Sequence, residues 1–494
     1  MDTAHLMQRA EEFYAEIALE YYNNFAGLSD EFRIVEIVGK YPELFSRETY
    51  DGVMALEPAE DGMDERELKL MRYFATGNYF TAETKHLVEE KEKREAALKV
   101  EHKGEKLAYR SIPVVNANEE DVRLRRELDG KALSALDSEL NPLYEQIFEK
   151  LYTLTGELGY ENYTALTEQL TGLKLGWLRD TMQGFVRETN CLYREALDEY
   201  AWTALGLRLG ELAQCDIGRL MRADAFDGMF SQERMVPVLK DTLAGLGIDI
   251  DAQENVTLDL ESRPKKSPRA FCIGIRVPQD VRLVLTPIGG SQDYSTLFHE
   301  AGHLEFYAHM DEKLPFLYRH EGDTSVHENF AFLLQYLTTD PAWLEDVLDR
   351  VRFQDYVRFS RFNKLYMLRR YAAKLDYEYG FWPEYDLGAA RRSYREKLTG
   401  TLLFKYSSKR ALSDFDQGYY VAKYLQAWLA EAAIRQHLRG EFGRKWYRNQ
   451  KAGDWLRAVW AEGQKYDIHE LLERFGLPKL SYKPALDDIR EHLG

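Results

Sequence analysis

The stretch Ser295-Thr296-Leu297-Phe298-His299-Glu300-Ala301-Gly302-His303-Leu304-Glu305-Phe306 sets two histidines four residues apart in an apolar run. On an α-helix, such positions lie about 40° from each other around the axis and roughly 6 Å apart along it, so both imidazoles reach one tetrahedral ion. Glu300, three residues before His303, falls on the same side, where it reaches a water at that ion without binding the metal. Leu297, Phe298, Leu304 and Phe306 suit a buried helix, with Asp293 or Ser295 placed to cap its start. The alternative is a helix with two ordinary histidines, and the residues that follow favour the metal.

Two ligands do not close a zinc shell, so a third is required. His309 stands where an extended three-histidine motif places its last ligand, but that geometry needs a glycine at which the chain turns away, and Phe306 is there. If the helix continues, His309 lies about 240° round and roughly 9 Å along from His303 and points elsewhere. Glu328 is the better candidate. It sits in Asp323-Thr324-Ser325-Val326-His327-Glu328-Asn329-Phe330, where a second helix begins with Val326, Phe330, Leu333, Leu334 and Leu337 on one face. Segment 310–322, with Pro315 and Gly322, brings this helix back beside the first. Ser325-x-x-Glu328 also matches a capping box, in which the glutamate only ties down the helix start. His320 and His327 are alternative ligands or hydrogen-bonding neighbours.

One zinc position then stays open. Zinc lowers the pKa of water and polarises a carbonyl, while Glu300 is expected to take the proton of the attacking water and return it to the leaving amine. The oxyanion needs a further donor. The segment Asp416-Gln417-Gly418-Tyr419-Tyr420-Val421-Ala422-Lys423-Tyr424-Leu425 offers Tyr419, Tyr420 and Tyr424, the last two sharing a face. Packing is the ordinary role for any one of 32 tyrosines.

Outward from the motif, most of the chain reads as helix, rich in Glu, Lys, Leu and Ala and sparse in proline. The stretch from Thr81 to Tyr109 reads as a charged, solvated helix with pairs such as Glu89–Lys93. Asn116–Asp129 reads as a polar connector. The exception is Arg263 to Gly290, which holds four prolines and the pair Gly289-Gly290 around an alternating run, Val281-Arg282-Leu283-Val284-Leu285. That run reads as a strand whose free edge hydrogen-bonds an extended peptide, or as a strand that only packs on a helix. The expected fold is mainly α, with a small β element before the metal helix. The expected division is 1–265, an N-terminal helical subdomain, and 266–494, a catalytic helical subdomain.

With 494 residues the chain can bury a large core. Its net charge of -18 argues against a nucleic-acid partner, which needs a basic face. Cys191, Cys215 and Cys272 are too few and too scattered for a disulfide framework or a cysteine-rich zinc site. The start of the chain lacks the basic and apolar regions of a signal peptide, and no apolar run approaches the roughly 18 residues that cross a bilayer. These features lead to an expectation of a cytoplasmic protein with no membrane partner.

His299-Glu300-x-Gly302-His303, followed by Glu328, resembles the thimet oligopeptidase and oligoendopeptidase family of zinc metallopeptidases, whose clan includes angiotensin-converting enzyme and the thermostable carboxypeptidases. Ser267-Pro268-Arg269-Ala270-Phe271-Cys272, Gly289-Gly290, Leu365-Tyr366-x-Leu368-Arg369-Arg370-Tyr371 and the run from Tyr419 to Trp428 extend the likeness over about 265–475. Thr324-Ser325-Val326-His327-Glu328 resembles the third-ligand helix of the carboxypeptidase branch. The resemblance implies two helical subdomains flanking a deep substrate channel, and one Zn2+ per chain on His299, His303 and Glu328. It also implies Glu300 as base, a transition-state tyrosine among Tyr419, Tyr420 and Tyr424, and short unstructured peptides as substrates. Two departures stand out: Asp376–Gln436 holds no histidine before the tyrosines, and Phe332 stands where some relatives have an acidic residue.

The leading expectation is an oligopeptidase cleaving internal bonds. A carboxypeptidase would need a cation for the free carboxylate, for which Arg369, Arg370 and Arg410 are candidates; Arg410 and Lys423 are also candidate oxyanion donors. From another class, a non-catalytic peptide-binding protein would keep the fold but have no need of Glu300.

Overall fold

The computed structural model describes residues 2–58, 63–348 and 353–494, and the chain is mainly α-helical, with one two-stranded and one three-stranded sheet among the described residues. Cys191, Cys215 and Cys272 are free thiols. No helix among the described residues is long and apolar enough to cross a membrane.

The chain divides into two compact units, each made of three segments. The first is Met1–Tyr79, Ala223–Ser360 and Gln426–Ala485; the second is Phe80–Arg222, Arg361–Leu425 and Leu486–Gly494. The boundary expected at 265 therefore falls inside the first unit. No composition shift marks the actual divisions, because those at 79/80, 360/361, 425/426 and 485/486 lie within helices.

In the first unit, helix Ser291–Ala308, which carries the motif, is buried on most of its circumference, as a helix apolar on nearly every side must be. Phe298 packs edge-on against Trp343, and Phe306 stacks on Phe330, which meets Trp460. Helix Thr324–Gln335 lies directly along it. The contact is close because Gly302 has no side chain: a Cβ there would stand 2.5 Å from both Ala331 Cα and Phe330 O. The start of the motif helix is not capped by Asp293 or Ser295. Asp227, from the turn Asp224–Met229, accepts from the Ser291 backbone N–H (2.9 Å) and hydroxyl (3.1 Å) instead. Asp293 turns back to accept from the N–H groups of Ile288 and Gly289.

The strand read at Val281–Leu285 is present as Asp280–Val284, but it is the middle of its sheet. It pairs in parallel with Val256–Asp259 and antiparallel with Phe271–Arg276. It therefore has no free edge to offer, and the edge nearest the motif in sequence belongs to Phe271–Arg276. Side chains alternate across that strand. Phe271, Ile273 and Ile275 pack against helix Thr3–Phe25 and its cap through Ala18, Tyr22 and Ala26, while the Cys272 thiol, on the other face, lies within the field of Glu300 and Glu305 of the motif helix, and the Cys272 backbone N–H reaches Glu300.

In the second unit, the charged helix ends at Ala97 and gives way to a hairpin, Lys99–His102 with Glu105–Ala108, so the helix expected to Tyr109 is too long. The Glu89–Lys93 pair forms, at 4.0 Å. The expected connector Asn116–Asp129 is largely helical, divided between Ile112–Asn118 and Val122–Ala135. One of its three arginines explains this: Arg125 is buried against Asp216 at 2.8 Å and bonds the carbonyls of Glu119 and Glu120, fixing the turn between the helices.

Candidate metal centre

Helix Ser291–Ala308 presents His299 and His303, and helix Thr324–Gln335 brings Glu328 to them. Glu328 Oε2 lies 3.6 Å from His299 Nε2 and 3.7 Å from His303 Nε2, and the donor atoms of the three residues all fall within 4.8 Å of one another. A tetrahedral ion about 2.1 Å from each donor needs roughly 3.4 Å between donors, which these side chains reach by small rotations. The helix that carries Glu328 is capped by Asp323, whose carboxylate accepts from the Ser325 N–H at 2.9 Å. The capping-box role is thus already filled, and Glu328 is turned to the histidines.

Both imidazoles are oriented from behind. His299 Nδ1 meets Gln335 Oε1 at 2.9 Å, and Gln335 Nε2 donates to Ser295 Oγ at 3.0 Å. That leaves Nε2 of His299 facing Glu328 as an acceptor. His303 Nδ1 lies 3.2 Å from His327 Nδ1, so His327 acts as a neighbour of a ligand. Burial lowers the pKa of His299 to about 4, and it holds His303 well below the ordinary range with help from the two adjacent imidazoles. Neutral rings are what a metal requires of histidine. Two neutral imidazoles and a carboxylate fit zinc in number, type and spacing.

Glu300 is neighbour rather than ligand. Burial raises its carboxyl to about 8, opposed by the Cys272 N–H and reinforced by the charge of Glu328. The Arg269 side chain, exposed just before the edge strand, exerts its charge on both Glu300 and His299. Cys272 itself is an unreactive thiol: burial, then the charges of Glu300 and Glu305, push its pKa well up.

His309 lies just past the helix end, with Nδ1 2.9 Å from the Glu305 carbonyl and its ring against Trp460. His320 packs between Tyr14 and Phe316. Neither joins the cluster. Phe332 stands edge-on to His299 and beside Trp428, so this wall of the site is apolar, and Gln335 supplies the polar contact to His299. Tyr307 is a residue the motif reading missed. Its ring stacks 6.2 Å from that of His303, and its hydroxyl feels the charges of Glu328 and Glu300. Its place four residues after His303 was the available signal.

Tyr419, Tyr420 and Tyr424 belong to the second unit. Tyr419 is fully buried, its hydroxyl 2.6 Å from that of Thr164 and donating to the Glu378 carbonyl at 3.2 Å, which commits it to the core. Tyr420 is partly exposed with its ring 4.8 Å from that of Tyr424. The proposed carboxylate anchors are engaged within the same unit. Arg369 donates to Val186 O, Thr189 Oγ1, Asn190 Oδ1 and Thr401 O, Arg370 pairs with Asp414, and Arg410 with Asp129.

The sequence matches no protein-family model and no curated protein.

Proposed function

We propose that this chain is a zinc-dependent peptidase that hydrolyses short, unstructured peptides, of the kind the thimet oligopeptidase resemblance implies. One observation carries the reading: His299, His303 and Glu328 converge while the carboxyl of Glu300 lies beside them without joining the set. These three residues would hold one zinc ion, which supplies Lewis acidity toward water and the substrate carbonyl. Gln335 and His327 fix the two rings. Glu300 takes the proton of the attacking water at a carboxylate oxygen and delivers it to the departing amine nitrogen. Phe332 and Trp428 keep water from the back of His299. The outer edge of Phe271–Arg276, paired on one side only among the described residues, supplies a backbone against which an extended peptide pairs alongside the Cys272 N–H that Glu300 takes.

Internal cleavage is favoured over C-terminal trimming, because Arg369, Arg370 and Arg410 all have partners in the second unit. Amidating a substrate's C-terminus should leave cleavage intact.

The decisive experiment compares the parent with Glu300→Gln on a quenched peptide library, with zinc measured in both. Loss of a general base costs about 100- to 10,000-fold in turnover. Zinc-loaded proteins of equal activity, or equally inert, would remove the peptidase reading and leave a binding protein.

A further inference from the structure

Helix Thr3–Phe25 packs on the edge strand Phe271–Arg276 and ends in a group of aromatic residues left open to solvent. Phe25 is 40% exposed and Phe32 47% exposed. Tyr21, Phe25 and Phe32 form a triangle with ring centroids 5.3 to 5.8 Å apart. Phe25 also meets Phe271, the first residue of the edge strand, edge-on at 6.0 Å. The group is therefore continuous with the strand, one residue from the Cys272 N–H that reaches Glu300.

An added strand alternates its side chains between the two faces of a sheet. Residues of a paired peptide that point the same way as Cys272 turn toward the motif helix. Their neighbours point the same way as Phe271, toward the aromatic group. Exposed aromatic clusters of this kind mark binding surfaces, and rings give contact area at little entropic cost.

We propose that Tyr21, Phe25, Phe32 and Phe271 form a subsite for one aromatic or large aliphatic side chain of a peptide paired with the edge strand. This deepens the peptidase reading and rests on it for the identity of the ligand as substrate. The occupant is a peptide because the patch adjoins a strand paired on one side only among the described residues, whose outer edge offers main-chain hydrogen bonds that a lipid surface does not use.

The test measures binding and turnover separately. Fluorescein-labelled octapeptides that carry phenylalanine or alanine at each position in turn are titrated by anisotropy into Glu300→Gln and into Glu300→Gln with Phe32→Ser. The same peptides are assayed for cleavage by the parent and by Phe32→Ser alone. Val35→Ser, at an apolar residue 73% exposed outside the triangle, is the surface control. Circular dichroism melts check folding, and Phe25→Ser is the second variant should Phe32→Ser melt early.

At one peptide position, phenylalanine should bind about tenfold more tightly than alanine, and Phe32→Ser should erase that preference. An unchanged preference, or equal weakening of both peptides, overturns the subsite. So does a concentration-dependent dimer that Phe32→Ser dissolves, since a second copy would then cover the patch. Binding preference without any cleavage by the zinc-loaded parent would keep the subsite and remove the peptidase reading. Cleavage without preference would do the reverse.

Discussion

Replacing Gly302 by alanine should disable the proposed metal centre without touching any of the three residues proposed to hold the ion. The new methyl group would meet Ala331 Cα and Phe330 O at 2.5 Å, and both are anchored in the backbone of helix Thr324–Gln335. Ordinary contact begins at 3.4 Å, so the two helices must part by about 0.9 Å along that line, because backbone cannot rotate aside as a side chain does. Glu328 rides on the displaced helix. Its separation from His299 Nε2 and His303 Nε2, now 3.6 and 3.7 Å, would grow to roughly 4.5 Å, so Glu328 would have to close about 1 Å to reach tetrahedral spacing where it now needs only a few tenths. Overpacking of this kind costs about 1–3 kcal/mol of stability. The zinc affinity should fall on the order of 100-fold, the upper end of what disturbing a supporting residue costs. Competition with a fluorescent chelator gives the affinity, and a melt of the zinc-free protein gives the stability. Gly380→Ala is the control, since nothing lies within 4 Å of that position, and there alanine should stabilise by up to about 1 kcal/mol. Parent-like zinc affinity in Gly302→Ala would refute the claim that backbone contact sets the ligand geometry.

Three further outcomes are expected. Gln335→Ala frees Nδ1 of His299 and should weaken zinc binding about 10- to 100-fold while leaving the melt of the zinc-free protein nearly unchanged, as read by the same competition and melts. Arg369→Met strips four hydrogen bonds from the interior and should destabilise the fold by about 3 kcal/mol in denaturant titration, yet leave the ratio of rates on free-acid and amidated peptides as it was. Asp414 carries a pH signature. Burial raises its carboxyl, but Arg370 and Lys374 outweigh burial and hold it below the usual range. A depressed folded value means stability that is present above the unfolded pKa of about 3.9 and lost as pH falls through the folded one. Asp414→Asn should therefore melt well below the parent at pH 7, by about 3 kcal/mol, with the gap closing as the pH falls below the ordinary carboxylate range.

The features legible in the sequence are those set by short-range spacing. His299, Glu300 and His303 declare themselves within five residues, and Glu328 follows because its helix announces its own apolar face. The strand at 280–284 was equally plain from its alternation. Its central position was not, because pairing with Val256–Asp259 and Phe271–Arg276 is a long-range choice that leaves no mark on the strand itself. Gln335 escaped assignment, and His327 was read only as an alternative ligand or a hydrogen-bonding neighbour, for a related reason: a polar residue beside a candidate ligand has no required spacing, only a required distance. The tyrosines illustrate the converse. Of the three candidates, Tyr419 sits beside the pair at helical spacing, and the structure spends its hydroxyl on Thr164 and the Glu378 carbonyl. The unit boundaries were hidden because the chain divides inside helices, where composition does not change.

The clasp at the start of the motif helix ties the ligands to a distant part of the chain. Asp227 holds Ser291, Phe230 accepts from the Gly290 N–H, and Ser231 accepts from the Tyr294 hydroxyl, all from a segment some sixty residues upstream. In hydrogen-exchange terms, the amides leading to His299 can open only as often as that clasp does. The order of the proposed metal centre is thereby inherited from a loop that contributes no atom to it.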